Sequence, residues 1–274
     1  MLSISQKIVY VNSRQRISGS GSSFTYDLQI PPLNEYSHAC VLDISIPKSY
    51  YLVSASRNTF TLIEGKVVVL VTVPAGNYTV KSIISTVSAL LTAASPTGAA
   101  YTMAYPSASE PDTGKFLFTV TPSPGAALSF ADNNIADILG FERNSENAFI
   151  AAGGSATVVS SKVIDLQNEQ TLYLHSNLVK SDTDDILQEV FATNDPAFGR
   201  IVWQCTAPEL SSKTMATRSG SASVFSFNLT DEDGGNIDLN GQDMQFTLCL
   251  YQKTKVSEIV TRAIKLNAFA SLRL

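Results

Sequence analysis

The stretch from Asn58 to Ala94 constrains the fold more than any other, because it predicts a β-hairpin that leads directly into a helix. Residues 59–63 alternate between polar and apolar, which is the two-residue period of a half-buried strand. Glu64-Gly65 predicts a tight turn, since glycine adopts a positive φ without steric cost. The continuous apolar run at 67–71 then predicts a second strand that is buried on both faces.

The helix is predicted by a single apolar stripe with clear boundaries. Pro74, Gly76 and Asn77 interrupt the preceding strand, and Thr79 is placed to act as the N-cap. The segment 95–98, Ser-Pro-Thr-Gly, ends the helix. The apolar positions recur at helical spacing and are Val80, Ile83, Ile84, Val87, Leu90, Leu91 and Ala94.

Strand patterns of four to nine residues occupy much of the remaining chain. Their alternation, and the turn residues between them, are typical of a β-sandwich or jelly roll. Residues 12–23, which lie between the strand patterns at 7–11 and 24–28, are polar and rich in Gly and Ser, and this indicates a loop or a mobile arm. The segments are 7–11, 24–28, 38–46, 161–166, 171–174, 188–191, 201–205, 224–229 and 244–251.

An α/β pattern interrupts these strands. The hairpin helix is followed by strand patterns at 100–105 and 115–121, and then by a short helix at 135–139 that Gly140 ends as a left-handed C-cap. We therefore predict a mostly β protein with one jelly-roll sandwich, residues 1–75 plus 143–252. Residues 76–142 form an inserted helix-strand-strand-helix subdomain, and residues 253–274 form a C-terminal tail with five Lys/Arg and one Glu.

Charge is scarce in this chain. Charged residues make up 16% of the sequence, whereas an average soluble protein has roughly 25%. A weakly hydrated surface is easily buried in an assembly, although Ser/Thr-rich β faces explain the same composition. The net charge of −5 argues against direct nucleic-acid binding. The chain lacks a signal-peptide pattern and any apolar stretch of membrane-spanning length, so the sequons at Asn77 and Asn228 are not expected to be glycosylated.

The residues that could carry chemistry form no catalytic or metal-binding pattern. Cys40, Cys205 and Cys249 lie in apolar runs, which predicts buried free thiols. Neither His38 nor His175 has a Cys, Asp or Glu neighbour at a metal-ligand spacing, and His175 is expected to make a structural hydrogen bond at a strand end. No nucleophile elbow or phosphate-binding loop is present.

Two acidic runs could suggest a cation site. One contains Asp182, Asp184, Asp185 and Glu189, and the other is DEDGGNID at 231–238. The second departs from the calcium-loop pattern at its fifth and twelfth positions, and its Asp, Gly and Asn residues favour a turn between strands. We expect no catalytic residue, no metal and no cofactor.

Four motifs in order resemble the minor capsid (penton) proteins of virophages and of Polinton/Maverick-type elements. In that group a strand pair precedes a Gly-Asn/Thr-Tyr turn and an apolar helix, and a D-x-L-G-F helix end and a Y-x-x-S strand come later. Here the resemblance spans roughly residues 56–205. The matching segments are SRNTFTL at 56–62, VPAGNYTVKSIISTVSALL at 73–91, IADILGF at 135–141 and LYLHSNLV at 172–179.

The resemblance implies a single jelly roll with an inserted subdomain and a structural role without catalytic residues. Five copies would form the capsomer at each fivefold vertex of an icosahedral virion, assembled in the host-cell cytoplasm. The neighbour there would be the trimeric double-jelly-roll major capsid protein. Closed cyclic symmetry requires extended lateral contact surfaces, which suits a chain of low charge.

Two other classes of function stay open at this stage. A jelly roll on a virion surface could bind a receptor or a carbohydrate, with Tyr101, Tyr105 and Phe149 as the nearest aromatic candidates, although the sequence favours core packing for all three. A glycosidase on a β-sandwich would need two facing carboxylates. The acidic residues here cluster in turns, so we expect no enzyme.

Overall fold

A computed structural model of the chain confirms the mostly β class, with several antiparallel sheets and a jelly-roll-like sandwich. The chain divides into two compact units. Unit 1 consists of Met1–Tyr50 and Glu169–Leu274, and unit 2 is the continuous segment Tyr51–Asn168. The structure describes residues 6–30, 36–107, 111–167, 171–180, 185–192, 199, 201–205, 215–218 and 222–252.

The first segment of unit 1 contributes four strands. Residues 12–23 were expected to be a loop or a mobile arm. Contacts to a distant part of the chain hold this segment, since Arg16 forms an ion pair with Asp243 at 2.8 Å and the Ser13 hydroxyl donates to the same carboxylate at 3.0 Å. A short 3₁₀ helix, Ser13–Gln15, lies in this segment. The strands are β1 (Gln6–Asn12), β2 (Ser18–Gly19), β3 (Ser23–Asp27) and β4 (His38–Pro47).

Unit 2 holds two four-stranded sheets and two helices. One sheet has the order β10-β9-β5-β6 and the other the order β11-β12-β8-β7. The elements are β5 (Thr59–Glu64), β6 (Val67–Thr72), α1 (Val80–Ala94), β7 (Ala100–Ala104), β8 (Leu117–Thr121), β9 (Ala126–Phe130), α2 (Ile135–Leu139), β10 (Ser145–Ala148), β11 (Ile150–Ala152) and β12 (Ser155–Val159).

Helix α1 packs through the predicted stripe. Ile83, Val87 and Leu91 are fully buried, and the other four stripe residues are partly buried against the same core. The predicted N-cap is confirmed, since Thr79 and Ser82 form a reciprocal capping box. The turn before β6 also has the predicted geometry, with Gly65 at a φ of 57°.

The second segment of unit 1 completes a sandwich. One sheet has the order β1-β19-β4-β17-β14, with β16 also paired to β4, and the other has the order β15-β13-β18-β3-β2. Their buried faces share one core, in which the ring centroids of Phe227 and Phe246 lie 5.1 Å apart across the two sheets. The strands are β13 (Thr171–Ser176), β14 (Val179–Lys180), β15 (Ile186–Phe191), β16 (Ile201–Cys205), β17 (Met215–Thr217), β18 (Val224–Thr230) and β19 (Gln245–Tyr251).

Unit 2 is wider than the insertion that we expected at 76–142. The hairpin β5-β6 belongs to it because Phe60 and Leu62 of β5 share a core cluster with Ile83 of α1. Between residues 76 and 142 the order is α1, β7, β8, β9 and α2, which is one strand more than the predicted helix-strand-strand-helix. The predicted tail at 253–274 lies outside the described residues.

Candidate assembly surfaces

Strand β6 departs most from the sequence-based prediction. The apolar run was expected to be buried on both faces, but Val68 and Leu70 are 64% and 66% exposed, and Val67 is also exposed. Val68 and Leu70 alternate with the buried Val71 and therefore lie on the outward face of the sheet, and β6 is also the last strand of its sheet, where the described residues pair it with β5 alone. The strand also carries no charged residue, so the usual protection of a sheet edge by Lys or Pro is missing.

Other edge strands carry exposed apolar side chains as well. In unit 1, Tyr10 of β1 is 76% exposed and Ile8 is exposed beside it, and β1 pairs only with β19. In unit 2, Ile150 of β11 is 75% exposed at the end of the second sheet. Exposed apolar edges of this kind are sites where another chain can add to a sheet.

A buried carboxylate stabilises the turn end of the β5-β6 hairpin. Glu64 accepts hydrogen bonds from the Tyr101 hydroxyl at 2.6 Å, the Ser95 hydroxyl at 2.8 Å, and the hydroxyl and backbone N–H of Thr97 at 2.6 and 3.2 Å. Burial on its own would raise the pKa of Glu64, but these donors outweigh it and lower the pKa. Burial, together with the adjacent carboxylate, raises the pKa of Tyr101.

This network stabilises the hairpin and gives no sign of acid–base chemistry. The donors come from the C-cap of α1, from the turn that follows it and from β7, so the carboxylate links the hairpin to these elements. Sequence analysis did not find this network, because residues 64 and 101 are far apart in the chain. The one available signal was an acidic residue at the end of a strand in which polar and apolar residues alternate.

The histidines have structural surroundings. His175 Nε2 lies 2.9 Å from the Thr230 hydroxyl, which confirms the expected hydrogen bond at a strand end. His38 Nδ1 lies 2.8 Å from the Ser37 hydroxyl, and its ring stacks on Tyr251. Within the described part of the chain, no group of three or more His, Cys, Asp or Glu side chains could hold a metal ion.

The described residues of the two acidic runs make structural contacts. Asp182 and Asp184 lie outside the described residues, while Asp185 forms an ion pair with Arg218 at 2.6 Å. Glu189 lies in β15, opposite Tyr173 of β13. The run at 231–238 is the predicted turn, because Asp231 Oδ1 accepts hydrogen bonds from the backbone N–H groups of residues 233 and 235.

Two of the predicted free thiols are confirmed. Cys40 of β4 and Cys249 of β19 are buried, free and directly opposite each other in the ladder. Burial, with a further contribution from Cys249, raises the pKa of Cys40 to about 11. Such thiols are inert at neutral pH. The side chain of Cys205 lies outside the described part of the structure.

The aromatic candidates for a ligand surface serve the core of unit 2. Tyr101 and Phe149 are buried and meet edge to face, with ring centroids 5.8 Å apart. Tyr105 is partly buried and contacts the edge of Phe116. These residues therefore offer no exposed aromatic platform.

The motif residues around both helices occupy defined structural positions. The Asn77 side chain accepts a hydrogen bond from Leu52 N–H at 2.9 Å, and the Tyr78 hydroxyl donates to Pro74 O. Gly140 ends α2 at a φ of 77°, which confirms the predicted left-handed C-cap. Asp137 in the same motif forms an ion pair with Arg143 at 2.7 Å.

No family model matches the chain, and no curated protein matches it. Among solved structures, the crystal structure of the selenomethionine-labelled mavirus penton protein is similar, with 13% identity and a TM-score of 0.43. The match covers 90% of this chain and 100% of that one. No helix in the described residues is long and apolar enough to cross a membrane.

Proposed function

We propose that this chain is a structural minor capsid protein whose five copies close into a ring at the fivefold vertices of an icosahedral virion. In this proposal its neighbour in the shell is the trimeric double-jelly-roll major capsid protein, and assembly takes place in the host-cell cytoplasm. The motifs that suggested the capsid group are the starting point, and they include the turn before α1 and the end of α2.

The observation that carries this proposal is the exposed, uncharged edge at β6. Val68 and Leu70 project from a strand whose second edge has no partner strand in the described residues. A stable monomer usually blocks such an edge with charge or proline, so this edge is suited to a protein contact. In a cyclic ring one heterologous contact is repeated at every subunit interface, and closing the ring strengthens each individually weak contact.

A lysine placed on the edge strand tests the proposal. We expect the wild-type chain to form an associated species in sedimentation velocity. In Leu70→Lys a charge would be buried at the subunit contact, so this variant should not associate. The matched control is Val163→Lys, because Val163 is 62% exposed and lies outside every strand. The control should associate like the wild type.

Two results would contradict the role given to β6. One is an unchanged assembly in Leu70→Lys with a folded chain by circular dichroism. The other is an equal loss of assembly in both variants, which would indicate a general effect of added charge.

A further inference from the structure

Two buried thiols face each other across neighbouring strands of unit 1. Cys40 of β4 and Cys249 of β19 are direct partners in the antiparallel ladder, and both are free. Their side chains are 4% and 3% exposed, and the two thiols are close enough to interact with each other. The fold therefore holds two sulfur atoms side by side although they come from distant parts of the chain.

The spacing of such a pair suits a disulfide. Directly opposite residues in an antiparallel ladder have Cα atoms about 4.5 or 5.5 Å apart, depending on the hydrogen-bonding pattern. Both values lie within the range of about 4.4–6.8 Å that disulfides span. A register shift between Thr247 and Leu248, next to Cys249, interrupts the regular ladder there. Because a bulge bends its strand locally, this irregularity gives the strands room to adjust when a bond forms.

The pair lies on the outward face of its sheet and not in the core. Val41 on β4 and Leu248 on β19, which directly adjoin the two cysteines, belong to the core cluster of unit 1. Because side chains alternate between the two faces of a strand, Cys40 and Cys249 point the other way. Ile8 of β1, the register partner of Cys249 on that face, is 43% exposed. A reagent therefore reaches this face without entering the core.

The Gln6 side chain covers Cys249 at the sheet edge. Its Nε2 donates to Cys249 Sγ at 3.3 Å from β1, a strand that pairs with β19 alone among the described strands. Such an edge opens at a lower free energy than a core does. The raised pKa of Cys40 makes this thiol slow to react at neutral pH. It does not decide which state is stable, because that depends on the reduction potential of the pair.

We propose that Cys40 and Cys249 form a redox switch, in which a disulfide joins β4 to β19 in oxidising surroundings. The oxidant is a low-molecular-weight disulfide such as oxidised glutathione. The Cys249 thiolate, which lies nearer the sheet edge, attacks it to form a mixed disulfide and releases one glutathione thiol. The Cys40 thiolate then attacks the Cys249 sulfur and releases the second, so the two protons of the protein thiols end on the two glutathione molecules.

The linked state resists unfolding more than the free-thiol state does. The bond closes a loop that runs from β4 to β19 and contains the whole of unit 2. Closing so long a loop removes many conformations of the unfolded chain. Reducing compartments keep thiols free, whereas oxidising ones let disulfides persist. The inference involves one chain only and does not rest on the proposed pentamer.

Peptide mapping of the full chain tests the switch. The folded chain is incubated with oxidised glutathione or with dithiothreitol, its remaining thiols are blocked, and it is digested without reduction for mass spectrometry. Of the three cysteines in the sequence, we expect the oxidised chain to lose two free thiols and to yield a linked peptide pair containing Cys40 and Cys249. Its melting temperature should exceed that of the reduced chain by about 5–10 °C.

Three variants separate this link from other thiol chemistry. Cys205→Ser is the control and should form the link, because Cys205 lies opposite Asp43 in the ladder and not opposite a cysteine. Cys249→Ser should form no link and should melt at the same temperature after both incubations. Cys40→Ser should retain one glutathione on Cys249, since the second step then has no attacking thiolate.

Three results would overturn the proposal. The first is a folded wild-type chain, verified by circular dichroism, without a link between Cys40 and Cys249 at any ratio of oxidised to reduced glutathione. The second is a link that appears only after denaturation in urea. The third is a rise in the melting temperature of Cys249→Ser on oxidation that equals the rise in the wild type.

Discussion

At the scale of single residues, Glu64 has the most unusual environment in the described chain. Its carboxylate is buried at the turn end of a hairpin, yet all its described hydrogen bonds come from neutral hydroxyl groups and one backbone N–H. No cation is among its partners. A buried charge can persist in this way when enough donors replace its lost hydration, so the fold of unit 2 depends on these donors.

The lowered pKa of Glu64 makes the stability of unit 2 dependent on pH. Because the folded value lies below the ordinary value of 4.5, the ionised carboxylate stabilises the fold at higher pH, and this stabilisation is lost as pH falls through the folded pKa. Glu64→Gln should therefore lower the free energy of unfolding at pH 7 by about 1–3 kcal/mol. As the pH becomes acidic, the free energy of unfolding of Glu64→Gln should also fall less steeply than that of the wild type.

Urea titrations followed by circular dichroism between neutral pH and pH 3 would check this expectation. Glu146→Gln is the matched control, since Glu146 is exposed on β10. A Glu64→Gln chain with wild-type stability at pH 7 would contradict the role assigned to the buried carboxylate.

Helix caps and turns could be predicted from the sequence, because they depend on hydrogen bonds between residues that are close together in the chain. Thr79 as an N-cap, Gly140 as a C-cap and the turn at Asp231 all follow from hydrogen bonds within a few residues. The bonds from Tyr101 to Glu64 and from Arg16 to Asp243 join distant parts of the chain. No local pattern could have predicted them.

At the scale of elements, β6 shows the limit of reading burial from hydrophobicity. A run of Val and Leu is equally compatible with a strand buried on both faces and with an edge strand that another chain covers. The sequence predicted the strand and its turn, but its place at the end of the sheet depends on how β5 and β9 pair. Its exposed side chains therefore became visible only in the folded structure.

Helix α2 offers a sharp test of a predicted C-cap. A Cβ atom at Gly140 would lie 2.7 Å from Lys162 O and 2.8 Å from Ser160 Oγ, in a backbone with a φ of 77°. We expect Gly140→Ala to lower the free energy of unfolding by about 2–5 kcal/mol, from left-handed strain together with overpacking.

The control for this prediction is Gly125→Ala. Gly125 also has a positive φ, of 69°, but a Cβ there meets no atom within 4 Å. It should lose only the left-handed strain, about 1–2 kcal/mol. Chemical denaturation of both variants measures the difference, and equal losses would show that the close contacts at Gly140 are unimportant.

At the scale of the whole molecule, the chain combines two separate cores with apolar sheet edges on each unit. The sequence predicted the β class and the presence of an α/β segment. The boundaries of unit 2 differ from those of the predicted segment because the strand pattern of β5-β6 is compatible with packing in either core. Only the packing of Phe60 and Leu62 with α1 assigns the hairpin to unit 2. In the proposed capsid role, the exposed edges on both units are surfaces that neighbouring subunits would cover.

The most direct test of the proposed pentamer is the solution mass of the purified chain, measured by multi-angle light scattering over a range of concentration and salt. We expect a species of five times the 29.4 kDa chain mass, alone or in equilibrium with the monomer. A stable dimer or trimer would contradict it. So would a monomer at every concentration that stays monomeric when co-expressed with the major capsid protein.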